Sequence, residues 1–134
     1  MKINVLYEDN HILILNKSSG IPVQKDSSND ISLHEIAKLY IKKKYQKKNN
    51  VFLGLVHRID RPVSGCVTFA KTSKSLKRLN EMFKKNLIKK TYLAIVSGVN
   101  LKKSETLEHW LLKKPKINKS FAFLKHVEKS KKAC

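Results

Sequence analysis

The strand-like and helix-like runs along this chain agree with an α+β fold. Three observations carry that reading. Short β-type runs at residues 3–7 and 12–15 flank the break Glu8-Asp9-Asn10, as the two arms of a hairpin would. Residues 32–44 place Leu33, Ile36, Ala37, Tyr40 and Ile41 on one face at helical spacing. Further strand-like runs at 51–55 and 66–70 lead into a second helical pattern. At 134 residues the chain is expected to form one domain, residues 1–134, around a single core.

Taken in order, the hairpin is followed by the loop Lys17-Ser18-Ser19-Gly20-Ile21-Pro22, punctuated by Gly and Pro. The first helix opens on Ser32, which with Glu35 makes a capping box. Lys42, Lys43 and Lys44 crowd its C-terminal end, where the helix dipole favours cations; Lys47 and Lys48 extend the cluster, either as a solvated end or as an RNA contact. Asn49-Asn50 breaks the chain before residues 51–55. Ser73 is suited to cap the second helix, to about residue 85, with Leu76, Leu79, Phe83 and Leu87 as core positions and Arg78 as surface charge. Residues 89–98 then read as a strand approached through Lys89-Lys90. Residues 106–112 and 120–124 read as two more strands, separated by Lys113-Lys114-Pro115-Lys116. The tail from 128 to 134 is polar.

Charge bounds the partners. The formal net charge is +19, which predicts attraction to a polyanion, nucleic acid first. The abundance of Lys, Ile and Asn offers a plainer origin for many of the lysines, as solvated surface. Cys66 and Cys134 are too few and too scattered for a disulfide framework or a zinc site, and the five histidines show no metal-ligand spacing. No metal is expected. Glu8 and Asp9 appear before any long apolar run, and no stretch approaches ~20 apolar residues, so neither a secretory signal nor a membrane partner is expected and the chain reads as cytoplasmic.

The chemistry-bearing stretch is Leu55-Val56-His57-Arg58-Ile59-Asp60-Arg61-Pro62-Val63-Ser64-Gly65. Only three of 29 cationic residues are arginine, and two of them, Arg58 and Arg61, flank Asp60, one of four aspartates. A planar, permanently charged fork beside a carboxylate would keep it ionised, as a nucleophile or base requires. Pro62 pushes Arg61 towards extended backbone and Ser64-Gly65 supplies a turn, so Asp60 is expected on a loop between strands. On these residues alone a structural Arg–Asp ion pair at a strand end is the competing reading. Cys66 has no oxyanion motif beside it, and His57 is not needed as a base.

The string HRIDRPVSG resembles the signature of the RluA-type pseudouridine synthases, roughly His-Arg-Leu-Asp-x-x-Thr-Ser-Gly, with Ile59 and Val63 as departures. Residues 14–23 resemble that family's first motif, Asn-Lys-Pro-x-Gly, with Ser18 in place of the proline. Lys90, Tyr92, Ala94, Val96 and Gly98 match its third motif, Lys-x-Tyr-x-Ala-x-Val-x-Gly. The resemblance implies an α+β catalytic domain built on a mixed, largely antiparallel sheet with helices packed on it. It covers nearly the whole chain but only the first part of the family's domain, so the chain is expected to be a C-terminally truncated catalytic domain. It also implies uridine isomerisation in ribosomal or transfer RNA: an N-glycosidic bond breaks, the uracil turns and rejoins through carbon, and no cofactor is required. Asp60 is then the catalytic residue, nucleophile or base; Tyr92 stacks on the target base; Arg58 and Arg61 join it as substrate-binding residues, Arg58 either on phosphate or holding the loop. A single carboxylate suits this chemistry better than the paired carboxylates of glycoside hydrolysis. The alternatives are a non-catalytic RNA-binding remnant and a basic structural protein in which Asp60 merely pairs with its arginines.

Overall fold

The computed structural model describes residues 3–98, 102–117 and 119–134. The chain forms two compact units, Met1–Thr91 and Tyr92–Cys134. Both are α+β or β structures in which every strand pair among the described residues is antiparallel.

In the first unit, β1 (Val5–Glu8) and β2 (Ile12–Lys17) form the expected hairpin. Asp9 closes its turn, one carboxylate oxygen accepting from the amides of His11 and Ile12 at 2.7 Å each. β3 (Gly54–Leu55) and β4 (Gly65–Ala70) complete a four-stranded sheet in the order β1-β2-β4-β3. The period of two along β2 buries Leu13, Leu15 and Lys17 and turns Asn16 to solvent. β4 answers with Val67 and Phe69, paired to Leu15 and Leu13. Helix α1 (Leu33–Lys44) covers this face with Leu33, Ala37 and Ile41, and Val23, Val51 and Leu53 close the core.

Both helices carry capping boxes. Ser32 caps α1 with Glu35 as expected. For α2 (Ser73–Lys84) the cap is Thr72 rather than Ser73, because extended backbone leaving β4 brings the Thr72 hydroxyl to the Ser75 amide at 3.1 Å. Each helix ends in a Schellman motif on a left-handed residue, Gln46 (φ 49°) and Asn86 (φ 54°). That termination leaves Leu87 past the helix and 65% exposed, so it is not the core residue its spacing suggested.

The end of β1 is tied to the C-terminal end of α1 and to the residue that follows β4 by one carboxylate. Glu8, whose side chain is 6% exposed, accepts from Lys44 Nζ (2.7 Å), Lys71 Nζ (2.8 Å), Tyr40 Oη (2.8 Å) and Tyr45 Oη (2.7 Å). Burial alone would raise its pKa, but these four donors outweigh it and hold the carboxyl at about 2. Lys44 therefore serves an ion pair as well as the helix end.

The second unit is a three-stranded sheet in the order β6-β5-β7, from β5 (His109–Lys114), β6 (Lys119–Phe123) and β7 (Lys131–Ala133). Lys113 and Lys114 lie inside β5, and a 3-10 turn, Pro115–Ile117, makes the link to β6. β7 forms in the polar tail because β5 offers it a ladder, pairing His109 with Ala133 and Leu111 with Lys131. The strand expected at 89–98 does not form. Leu93 and Ile95 are fully exposed, and no described strand supplies the hydrogen-bond partners that an extended apolar segment needs.

Candidate active site

The Asp60 turn is built by alternation. In the extended stretch that follows β3, His57 and Ile59 point inward and Arg58 and Asp60 point to solvent. Ile59 packs against the core. The His57 ring stacks on Phe83 of α2, centroids 5.1 Å apart, and its Nε2 accepts from the Thr68 amide at 3.1 Å. Burial lowers the His57 pKa and the Lys90 charge lowers it further, which suits a neutral ring whose acceptor nitrogen is already taken. Two anchors thus fix the chain on either side of Arg58. The Asp60 carbonyl then accepts from the Val63 amide at 3.1 Å, closing a turn over Arg61-Pro62, and Gly65 (φ 134°) returns the chain to β4 in a conformation that side chains rarely adopt.

Four hydrogen bonds brace this turn from the loop that leaves β2. Lys17 Nζ donates to the Arg61 carbonyl at 3.0 Å, the Gly20 amide donates to the same oxygen at 2.9 Å, and Ser19 Oγ donates to the Pro62 carbonyl at 2.7 Å. In return Arg61 Nε donates to the Gly20 carbonyl at 2.9 Å. Lys17 is fully buried and spends its other two donors on the carbonyls of Ser18 (3.0 Å) and Ile21 (2.8 Å). Burial lowers its pKa, the Arg61 charge adds to that, and the Asp60 carboxylate opposes it. The same loop runs on to α1, whose first free amides, Leu33 and His34, donate to the carbonyls of Pro22 and Val23. The turn, its brace and the core helix form one connected piece.

Arg61 does not pair with Asp60. Its guanidinium reaches the other way, to Ser28 Oγ at 3.0 Å and to the Asp30 carboxylate. Among the described residues, neither the Asp60 carboxylate nor the Arg58 guanidinium has a hydrogen-bond or ion-pair partner, and both are exposed. The arginine–aspartate contact expected from their adjacency is therefore absent. What the geometry provides is a solvent-facing carboxylate on a braced turn, next to a free guanidinium one residue removed. Such a carboxylate is available to attack an electrophilic carbon or to take a proton. Tyr92 is the first residue of the second unit and is 64% exposed, so the core role weighed against its site role is not the one it plays.

Sequence reasoning missed Lys17 as a structural centre. The signal was present: after Leu13 and Leu15, position 17 is the next inward-facing residue of β2. It also missed Ser28 and Asp30, which lie in a polar loop without a pattern of their own.

A family model described as RNA pseudouridylate synthase matches residues 11–133. The ribosomal large subunit pseudouridine synthase C of Buchnera aphidicola (subsp. Acyrthosiphon pisum) is 44% identical over 95 residues, 71% of this chain and 28% of that protein. Its namesake from Salmonella typhi is 38% identical over 109 residues, 81% of this chain and 32% of that protein. An uncharacterised RNA pseudouridine synthase of Mycoplasma genitalium is 35% identical, covering 72% of this chain and 31% of its own length. The chain thus spans about a third of the length of these curated relatives. The solved structure of human RNA pseudouridylate synthase domain containing 4 shares the fold, with a TM-score of 0.61 at 14% identity over 96% of this chain and 50% of that one. With the family model running through nearly all of its length, this chain belongs to the RNA pseudouridylate synthase family.

Proposed function

We propose that the chain isomerises uridine to pseudouridine in RNA, with Asp60 as the acting carboxylate. The observation that carries this is the braced turn: it presents Asp60 to solvent in the family's signature string, free of the ion pair that would occupy it. Asp60 acts at the ribose as nucleophile or base. Arg58, exposed and unpartnered among the described residues, contacts phosphate, and Tyr92 offers its ring to the flipped uracil. Extrusion of a base costs a few kcal/mol, which stacking offsets. The lysine excess supplies backbone affinity that falls with salt. No cofactor takes part. The names of the relatives favour ribosomal RNA of the large subunit over transfer RNA as substrate, and a cytoplasmic location follows from that substrate. The family match runs through both compact units, which supports reading them as parts of one catalytic domain.

A second reading has its own observation. The segment that carries Tyr92 has no strand partner among the described residues, with Leu93 and Ile95 fully exposed, so the chain binds RNA better than it turns it over. Lysine–phosphate attraction tolerates loose geometry where catalysis does not. The test is tritium release from 5-labelled uridine in unmodified large-subunit RNA. Asp60→Asn is expected to abolish release while RNA affinity stays within about threefold, since one carboxylate adds no phosphate contact. Release retained in that variant refutes the assignment of Asp60. RNA binding with no release by the parent chain selects the second reading.

A further inference from the structure

We propose that Arg61 is a positioning residue, which staples the polar loop 20–30 to the turn carrying Asp60 and acts on the reaction through that turn. The inference rests on the reading of Asp60 as the acting carboxylate.

Three of the guanidinium's nitrogens are spent inside the protein. Nε holds the Gly20 carbonyl at 2.9 Å, Nη1 holds Ser28 Oγ at 3.0 Å, and Nη2 pairs with Asp30. The residue's own carbonyl receives the Gly20 amide at 2.9 Å and Lys17 Nζ at 3.0 Å. Gly20 and Arg61 therefore exchange two hydrogen bonds, one through backbone and one through the side chain. Gly20 adopts φ 86°, so its backbone takes the left-handed conformation that glycine enters most readily.

The loop held by the fork is itself ordered by short-range bonds. Asp26 accepts from the Ser28 amide at 2.9 Å and its hydroxyl at 2.6 Å, and Ser28 Oγ in turn accepts from the Asp30 amide at 3.3 Å. A planar fork with several fixed donors suits this task, and a lysine, a compact point charge, cannot reproduce it. The requirement explains why arginine, used three times in the chain, is placed directly after Asp60. It also neutralises Asp30, an anion on the loop that the turn is stapled to.

A residue that binds RNA and a residue that positions the turn fail differently. For a positioning residue, Arg61→Met lowers kcat for uridine isomerisation by about 10- to 100-fold, the scale of a small misplacement of a reacting group, with KM changed less than about threefold. Asp30, a carboxylate, does not itself contact RNA phosphate favourably, so Asp30→Asn, which weakens the staple, shifts kcat in the same direction, and Arg61→Lys recovers part of the loss. A direct phosphate contact predicts the opposite pattern: KM rises, the salt slope of RNA binding drops by about one, and Asp30→Asn has no effect. That pattern overturns the proposal. Amide exchange followed by NMR decides independently of turnover. Protection at the Gly20 and Val63 amides falls about tenfold or more in Arg61→Met if the staple holds the turn, and unchanged protection overturns it. Should the parent chain bind RNA and show no isomerisation, the second reading above is selected, and the exchange data alone then judge the staple.

Discussion

Replacing Lys17 by methionine tests the brace at its centre. The change keeps the length and most of the volume of the side chain and removes the ammonium, which is fully buried against the carbonyls of Ser18, Ile21 and Arg61 at 2.8–3.0 Å. Charge-assisted hydrogen bonds contribute about 1.5–3 kcal/mol each, so three of them amount to roughly 5–9 kcal/mol gross. Against that stands the cost of keeping an ammonium out of water, several kcal/mol, which the variant no longer bears. The carbonyls left behind recover some hydration at the loop's exposed side. The net expectation is a loss of about 2–4 kcal/mol, a large share of the ~5–15 kcal/mol typical of a domain. For a unit of this size that lowers Tm by on the order of 10–20 °C. Thermal and urea unfolding monitored by circular dichroism give the number. The residual folded variant is further expected to lose isomerisation more than RNA binding, because the Asp60 turn rests on the brace. A Lys17→Met protein within about 0.5 kcal/mol of the parent would show that the three carbonyls do not need the ammonium, and the account of the brace would be wrong.

Glu8 predicts an acid limb. Its carboxyl is held at about 2 against an ordinary 4.5, so the stability it lends is complete above about pH 4.5 and is lost as pH falls through about 2. The shift corresponds to roughly 3 kcal/mol, and Glu8→Gln should lose about 2–3 kcal/mol at pH 7 while flattening the stability–pH curve between pH 5 and 2; parallel curves for the two proteins would refute this. Tyr92, at 64% exposure, should tolerate Tyr92→Ala with little change in Tm, whereas turnover should fall about 5- to 150-fold through lost stacking and be largely kept in Tyr92→Phe. Parent-like turnover in both variants would remove Tyr92 from the site.

The features that the sequence determined by itself are those settled within a few residues. The Ser32–Glu35 capping box, the Asp9 hairpin turn and the amphipathic face of α1 follow from local chemistry, and each forms as read. Pro62 and the Ser64-Gly65 turn are local signals too, and Asp60 does lie on the loop between β3 and β4 that they predict. Even the cap of α2 differs from expectation by only one residue, Thr72 for Ser73. Tertiary structure decided where long-range partners lie. Arg61 stands next to Asp60 in sequence, yet it opens the turn that the Asp60 carbonyl and Val63 amide close, and its fork finds Asp30, 31 positions back. Lys17 becomes a buried centre only because the Arg61 carbonyl, 44 positions on, arrives above it. The apolar segment after Thr91 has every intrinsic mark of a strand and the polar tail has few, but among the described residues β7 pairs and residues 92–98 do not. Strand formation requires a second ladder of donors and acceptors, and that ladder belongs to another part of the fold.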